Sequence, residues 1–220
     1  MTLFDLLFLA SLLFIFICLI AMLFSAIFSR RALLRRWATI LISYLALYAI
    51  ALISTSLALP RRIYSPGERR CWDDWCTTAV RATQVDPQAA PSAQHCSPAQ
   101  NSRLWYVEIE VSSVAKRVRQ RAPDARAELE DSNGERYSPC AGPLAQGSAP
   151  GHALSDPLDP GEAFSVLFPF QLPTDRQPAG VVMHHGSFPG IIIIGDDSAF
   201  LHHPALQRLT TSSQAEVAVP

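Results

Sequence analysis

Three adjacent pairs of residues whose side chains commonly bind metal ions lie near the C-terminal end of this sequence. The pairs are His184-His185, Asp196-Asp197 and His202-His203. Imidazole nitrogens and carboxylate oxygens are ordinary ligands of zinc and other divalent ions. Because adjacent residues of a strand point to opposite faces, only one member of each pair can line a given site. The candidate ligands are therefore His184, Asp197 and His202.

A structural role explains these residues better than a metal ion does. The apolar run Ile191–Ile194 is predicted to form a strand, which separates the first two pairs by about 13 Å at roughly 3.3 Å per residue. Aspartates that follow a strand commonly cap turns by accepting hydrogen bonds from backbone amides. A functional zinc site needs at least three converging ligands with fixed partners of their own. We therefore predict a loop cluster without a bound metal.

The sequence offers no enzyme motif for these residues to serve. It contains no G-x-S-x-G or H-E-x-x-H motif and no glycine-rich phosphate-binding loop. We predict neither a catalytic residue nor a cofactor.

The distribution of charge excludes nucleic acid as a partner. The formal net charge is −1, and the first 59 residues hold four of the 18 Arg and Lys residues but only one of the 19 Asp and Glu residues. The remainder is therefore acidic overall, unlike a nucleic-acid-binding protein. The run Lys116–Arg126 is locally basic and is typical of a solvated loop. A functional version would contact anionic lipid headgroups or a polyanionic envelope polymer.

Four cysteines beyond the apolar N-terminal part suit a disulfide framework. Four cysteines allow three pairings, and we favour Cys71 with Cys76 and Cys96 with Cys140. The first pair closes a short loop, CWDDWC, and the second ties together two irregular segments. Zinc is the alternative, but paired C-x-x-C spacing is absent.

Two long apolar stretches make up the N-terminal part. Trp37–Leu59 holds 23 residues without a charge, which as a helix span roughly 34 Å at about 1.5 Å per residue and can cross a bilayer with some tilt. The stretch at residues 3–28 is interrupted only by Asp5, and it is too long for the apolar region of a cleaved signal peptide. We predict a hairpin of two transmembrane helices that serves as an anchor, because neither span has an ionisable residue near its centre.

The orientation of this hairpin rests on more than the count of arginines. Four arginines lie in the connecting loop Ser29–Arg36, which the positive-inside rule places in the cytoplasm, but four more lie within residues 61–70. The loop charges are denser, the N-terminal tail has no basic residue, and the four cysteines suit an oxidising compartment. We predict a multi-pass protein of a bacterial cytoplasmic membrane, with both termini and the soluble domain on the extracytoplasmic side.

The soluble part alternates apolar and polar residues in short runs, which predicts strands. Trp105, Val107, Ile109 and Val111 share one face, as do Phe164, Val166, Phe168, Phe170 and Leu172. About seven such strands, separated by turns, predict an all-β, immunoglobulin-like antiparallel sandwich. The predicted boundaries are 1–59 for the anchor, 60–70 for a linker, 71–209 for the sandwich and 210–220 for a disordered tail.

The order of a strand, DSNGERY, LDPGE and FPFQLP resembles the telokin-like, immunoglobulin-type domains of bacterial membrane-anchored and lipid-anchored proteins. The resemblance covers roughly residues 77–194. That family has no assigned general activity, so the resemblance implies a fold and a location but no catalytic residues.

The sequence therefore predicts a non-enzymatic binding or assembly module of the cell envelope. Its partners would be the lipid bilayer and a protein or envelope polymer. Two alternatives stay open: a metal-dependent envelope enzyme that uses the His184–His203 region, and a regulatory subunit whose hairpin packs against a larger membrane complex.

Overall fold

The chain divides into two compact units, each of which is described separately. A computed structural model describes residues 3–86, 96, 101–144, 151–186, 190–196 and 199–212. The first unit comprises Met1–Arg61 and Ser187–His203, and the second comprises Arg62–Gly186 and Pro204–Pro220.

Two helices, α1 (Leu3–Ile27) and α2 (Arg31–Ala58), form the hairpin of the first unit. The Tyr44 hydroxyl donates to Ser11 Oγ at 2.6 Å, and the Tyr44 ring lies 4.6 Å from that of Phe14. The predicted second span begins at Trp37, whereas α2 begins six residues earlier. Ala, Leu and Arg are all strong helix formers, so the helix takes in most of the segment that was predicted to be a loop.

Large apolar side chains cover the outside of both helices. Leu13 is 60% exposed on α1, and Ile42 and Leu57 are each 66% exposed on α2. Both helices are long and apolar enough to cross a membrane, and only 11% of each apolar window is buried within the protein. The helices are therefore not the core of a soluble domain.

The second unit is a sandwich of two β-sheets. Its strands are β1 (Ile63–Tyr64), β2 (Arg70–Trp72), β3 (Trp75–Val85), β4 (Ser102–Ser113), β5 (Arg126–Asp131), β6 (Arg136–Tyr137), β7 (Ala163–Pro173), β8 (Pro178–His184), β9 (Leu206–Arg208) and β10 (Thr210–Ser212). One sheet has the order β1-β9-β8-β5-β6, and the other has the order β10-β3-β4-β7 with β2 paired to β3. All pairings are antiparallel except those of the short strands β1 with β9 and β10 with β3.

The core lies between the two sheets and contains the faces that the alternation predicts. This core includes Trp105, Val107, Ile109 and Val111 from β4 and Val166, Phe168, Phe170 and Leu172 from β7. Phe164 packs at the margin of this core. The predicted sandwich and its principal strand faces are confirmed.

Two predicted elements differ from the structure. Ile191–Ile194 does not form a strand: it lies in a series of turns in the first unit, where Ile194 is buried with Leu52 of α2. An apolar run signals burial but not the surface that buries it. The tail was predicted to be disordered from residue 210, but Thr210–Ser212 forms β10, because β3 offers an open edge. Residues 213–220 lie outside the described residues.

The domain boundaries shift accordingly. The sandwich begins inside the predicted linker, at β1, and it does not include residues 187–203, which cluster with the helices.

The outer edge of β7 is covered by an irregular segment, residues 140–144. The Cys140 amide donates to the Pro169 carbonyl at 3.0 Å, and the Leu144 amide donates to the Leu167 carbonyl at 2.8 Å. A disulfide joins Cys140 to Cys96. Proline suits an edge strand because it has no amide to donate, and the cover shields that edge from other strands.

Candidate functional site

The two histidines among the candidate ligands belong to different units of the chain. His184 belongs to β8 in the sandwich, whereas His202 belongs to the unit of the helices. Asp197 lies outside the described residues. Among the residues that the structure describes, no three His, Cys, Asp or Glu side chains are grouped closely enough to hold a metal ion.

Each of the two described candidates has a local partner. His184 Nε2 lies 3.1 Å from Glu128 Oε2, across the antiparallel pair of β5 and β8, where diagonal neighbours on one face can touch. His202 Nδ1 lies 3.1 Å from the carbonyl oxygen of Ser56. Because both acceptors are oxygens without a proton to give, each imidazole donates. These contacts position chain segments.

His185 sits in an aromatic cluster at one end of the sandwich. Its ring lies 4.9 Å from that of Trp75 and 5.9 Å from that of Trp72, and its side chain is only 16% exposed. Its Nδ1 lies 2.7 Å from Asp124 Oδ1, and the Gly186 amide donates to Asp124 Oδ2 at 2.9 Å. The carboxylate therefore clamps the end of β8 to the segment that precedes β5.

The same contacts set the charge of Asp124. The hydrogen bond from the Gly186 amide, followed by that from His185, lowers the pKa of this carboxyl, although burial opposes the effect. A hydrogen bond to the charged form of an acid stabilises that form. Asp124 is thus an ionised acceptor that holds two loops together.

The CWDDWC hairpin supplies the rest of the cluster. Cys71 and Cys76 face each other on β2 and β3 and form a disulfide, the pairing favoured from sequence. The Arg70 guanidinium lies 4.1 Å from the centroid of the Trp72 ring and donates to the Met183 carbonyl at 3.3 Å. This arrangement fixes the hairpin to β8, and Trp75 is 2% exposed within the core.

A basic loop, Val114–Arg121, borders this cluster. The Val114 amide donates to the Asp74 carbonyl at 2.9 Å, which joins the loop to the turn of the hairpin. Arg119 pairs with Asp159 at 3.2 Å, and Arg121 Nε donates to the Ser155 carbonyl at 3.2 Å. Lys116 and Arg117 are exposed between these anchors.

The basic loop also exposes apolar side chains. Val114 is 43% exposed and Val118 is 65% exposed. Cations next to exposed valines offer both charge and apolar contact to a partner, and the two anchored arginines hold the loop in place. The basic loop is the candidate functional site. Its composition was visible in the sequence, but its link to the hairpin was not.

A second polar cluster, at the DSNGERY hairpin between β5 and β6, is structural. Asp131 is 1% exposed and accepts hydrogen bonds from the amides of Asn133 and Glu135 and from the Tyr137 hydroxyl at 3.2 Å. Arg176 lies 3.5 Å from the same carboxylate. Sequence reasoning found the turn and missed Arg176, which belongs to a distant segment.

The pKa values of this cluster follow from its contacts. Burial raises the pKa of Asp131, but the hydrogen bonds from Glu135, Asn133 and Tyr137 and the charge of Arg176 together lower it below its ordinary value. Burial, with the adjoining Glu135 and Asp131, raises the pKa of Tyr137 to about 12. The hairpin thus keeps an ionised aspartate against a neutral tyrosine.

The chain is similar to several solved structures at low sequence identity. Similar solved structures include an uncharacterized β-sandwich protein from Clostridium difficile 630, at 16% identity and a TM-score of 0.36, covering 58% of this chain and 90% of that one. A secreted protein from Mycobacterium tuberculosis, MPT63, matches at 14% identity and a TM-score of 0.39, covering 59% and 93%. A conserved hypothetical protein from Bacillus anthracis matches at 13% identity and a TM-score of 0.38, covering 56% of this chain and 89% of that one.

No protein-family model matches the sequence, and no curated protein matches it either.

Proposed function

We propose that this chain is a membrane-anchored binding module of the bacterial cell envelope. One observation carries the proposal: large apolar side chains cover the outside of both helices, while most of those in the sandwich are buried. Contiguous apolar surfaces of that extent are unstable in water and mark contact with lipid or a partner. The hairpin then spans the cytoplasmic membrane, and the sandwich stands outside the cytoplasm.

The two disulfides support the extracytoplasmic side. Cys71–Cys76 and Cys96–Cys140 are both bonded, and disulfides persist in oxidising compartments. The dense arginines at the turn between the helices support a cytoplasmic position for that turn.

The basic loop supports binding over catalysis. Lys116 and Arg117 are exposed beside Val118, on a loop that Arg119 and Arg121 hold to the neighbouring segment. Such a surface fits an anionic component of the envelope, and the attraction extends over a Debye length of about 10 Å at moderate salt. The β7 edge fits a partner less well, because residues 140–144 already cover it.

The topology is tested with reporter fusions placed after Arg36 and after Pro220. A reporter active only outside the cytoplasm is expected to work after Pro220 and to fail after Arg36, and a reporter active only inside should show the reverse. A C-terminal fusion that works only in the cytoplasm contradicts the proposal.

The binding surface is tested by photo-cross-linking in intact cells. A photoreactive residue at Val118 is expected to capture a component, and capture should weaken at high salt and in the Lys116→Gln, Arg117→Gln variant. The matched control carries the photoreactive residue at Asn133, which is also exposed but lies on the DSNGERY hairpin. Equal capture from both positions, or capture that ignores the two substitutions, contradicts the assignment of the basic loop.

A further inference from the structure

The unit of the helices contains a third element, residues 190–196 and 199–203, which we call the returning segment. Ile194 and Ala199 are buried against Leu52 of α2, and Tyr48 and Ala51 pack at the same place. A Cβ atom at Gly195 would lie 3.0 Å from Cε2 of Phe4, so the returning segment also approaches α1 closely. It therefore packs on the apolar surface of the hairpin.

Two side-chain hydrogen bonds fasten the returning segment to α2. The Tyr48 hydroxyl donates to the Ile192 carbonyl at 2.7 Å. His202 Nδ1 donates to the Ser56 carbonyl at 3.1 Å, one of the carbonyls in the last turn of a helix that have no partner within the helix. Each bond satisfies a backbone oxygen, which matters most where water is scarce.

The contact with Tyr48 sets how far the returning segment reaches along α2. Tyr48 precedes the last residue of α2, Ala58, by ten residues, or about 15 Å of helix. That length is comparable to half of the roughly 30 Å hydrocarbon layer. If α2 spans the bilayer, the returning segment lies alongside its outer part.

Several backbone amides of the returning segment are satisfied within the segment. The amide of Ile193 donates to the Gly190 carbonyl, that of Phe200 to Ile191, and that of His202 to Ala199. Consecutive turns of this kind reduce the cost of placing a non-helical backbone next to lipid.

Three large apolar side chains of the returning segment point away from this packing. Ile192 is 37% exposed, Phe200 is 50% exposed and Leu201 is 52% exposed. Leu201 also adopts a φ of 66°, a left-handed conformation that is costly for a leucine. These side chains continue the apolar exterior of the helices to which the returning segment is bound.

We propose that the returning segment is a membrane-interface element that inserts Ile192, Phe200 and Leu201 among the acyl chains of the outer leaflet. The inference rests on the proposed anchoring of the hairpin in the membrane. Lipid is the partner of these side chains, because they extend a surface that is proposed to face lipid and because turns of the segment beneath them are hydrogen-bonded. The sandwich is then tethered to the bilayer at two points of the chain, before β1 and between β8 and β9.

The experiment measures depth with nitroxide labels on the full-length chain in vesicles of phosphatidylethanolamine and phosphatidylglycerol. In a Cys18→Ser background, the disulfide-bonded cysteines do not react, and single cysteines replace Phe200, Ile53 or Asn133. Ile53 is 37% exposed on α2 and reports lipid contact, whereas Asn133, exposed on the sandwich and outside the basic loop, reports water. The label at position 200 should be accessible to oxygen and shielded from a water-soluble nickel reagent, as the label at position 53 should be.

A matched pair of tyrosine variants tests the attachment. Tyr48→Phe removes the donor to Ile192, and Tyr44→Phe removes a donor to Ser11 that lies within the hairpin. Nickel accessibility at position 200 should rise several-fold in Tyr48→Phe and stay unchanged in Tyr44→Phe. Equal responses to the two variants would overturn the attachment that the inference requires.

The controls separate the two proposals. If position 53 reports lipid while position 200 reports water, the inference fails and the anchor stands. If both report water, the anchor and the inference fail together. A label at 200 that is shielded from both reagents indicates a second protein chain as the occupant and overturns the assignment to lipid.

Discussion

The helical hairpin and the sandwich contain the same apolar residue types, but the hairpin exposes them and the sandwich buries them. Phe16 on α1 is 59% exposed, whereas Phe170 on β7 is fully buried. In the sandwich, water drives phenylalanine inward, and the proposed surroundings of the hairpin exert no such force. Whether an apolar side chain is buried therefore depends on the solvent around each region as well as on the sequence.

The largest expected effect comes from making one substitution in both regions. Phe170→Ala should lower the free energy of unfolding of the sandwich by about 3–5 kcal/mol, because it removes a buried ring and leaves a cavity. Phe16→Ala should change it by no more than about 0.5 kcal/mol. Urea unfolding of the full chain in detergent, followed by tryptophan fluorescence, measures both. A comparable loss from Phe16→Ala would show that the hairpin helps to stabilise the sandwich.

The disulfides give the next effect and should act on the sandwich alone. Cys96–Cys140 closes a loop with a sequence separation of 44 and Cys71–Cys76 one of 5. Chain-entropy estimates then assign about 4 kcal/mol to the first bond and about 2 kcal/mol to the second. Double alanine variants of each pair, compared by urea unfolding, check the order, and the helical circular dichroism should not change. A larger loss of unfolding free energy from removing Cys71–Cys76 would show that the geometry of the CWDDWC hairpin matters more than the length of the closed loop.

The smallest effect is a dependence of the sandwich on pH. Because the pKa of Tyr137 is raised from 10.0 to about 12 in the folded chain, its contribution to stability is complete below pH 10 and is lost between about pH 10 and 12. Asp131 behaves in the opposite way: its lowered pKa gives stability above pH 4, roughly its unfolded value, which is lost as the pH falls further.

Two substitutions should each remove one limb of this profile. Tyr137→Phe should abolish its share of the alkaline loss, with Tyr106→Phe as control, and Asp131→Asn should flatten the acid limb, with the exposed Asp159→Asn as control. Urea midpoints across the pH range measure both. A profile unchanged by Asp131→Asn would assign the acid limb to other carboxylates.

Most of the sandwich could be predicted because its strands carry their own signal. The alternation from Trp105 to Val111 and from Phe164 to Leu172 specifies which side chains face inward, and Asn133-Gly134 marks the hairpin turn, where Gly134 adopts a φ of 85°. The turn needs no information from elsewhere in the chain.

The returning segment shows where such reasoning stops. Four isoleucines in a row indicate burial, but their periodicity does not reveal that α2 is the element that buries Ile194. The candidate site depends on distant partners in the same way: Arg121 meets Ser155 across 34 positions of sequence. A local sequence pattern cannot predict a contact between two residues that lie far apart in the chain.

The cover over β7 has a meaning for biosynthesis. Cys140 is held in place by a bond to Cys96 that forms only under oxidising conditions. Before this bond forms, residues 140–144 are held to the 11-residue strand β7 by hydrogen bonds alone. If they detach, the edge of β7 is open, and open strand edges promote aggregation. If the sandwich folds before the Cys96–Cys140 bond forms, we expect more aggregation and a lower yield of folded protein.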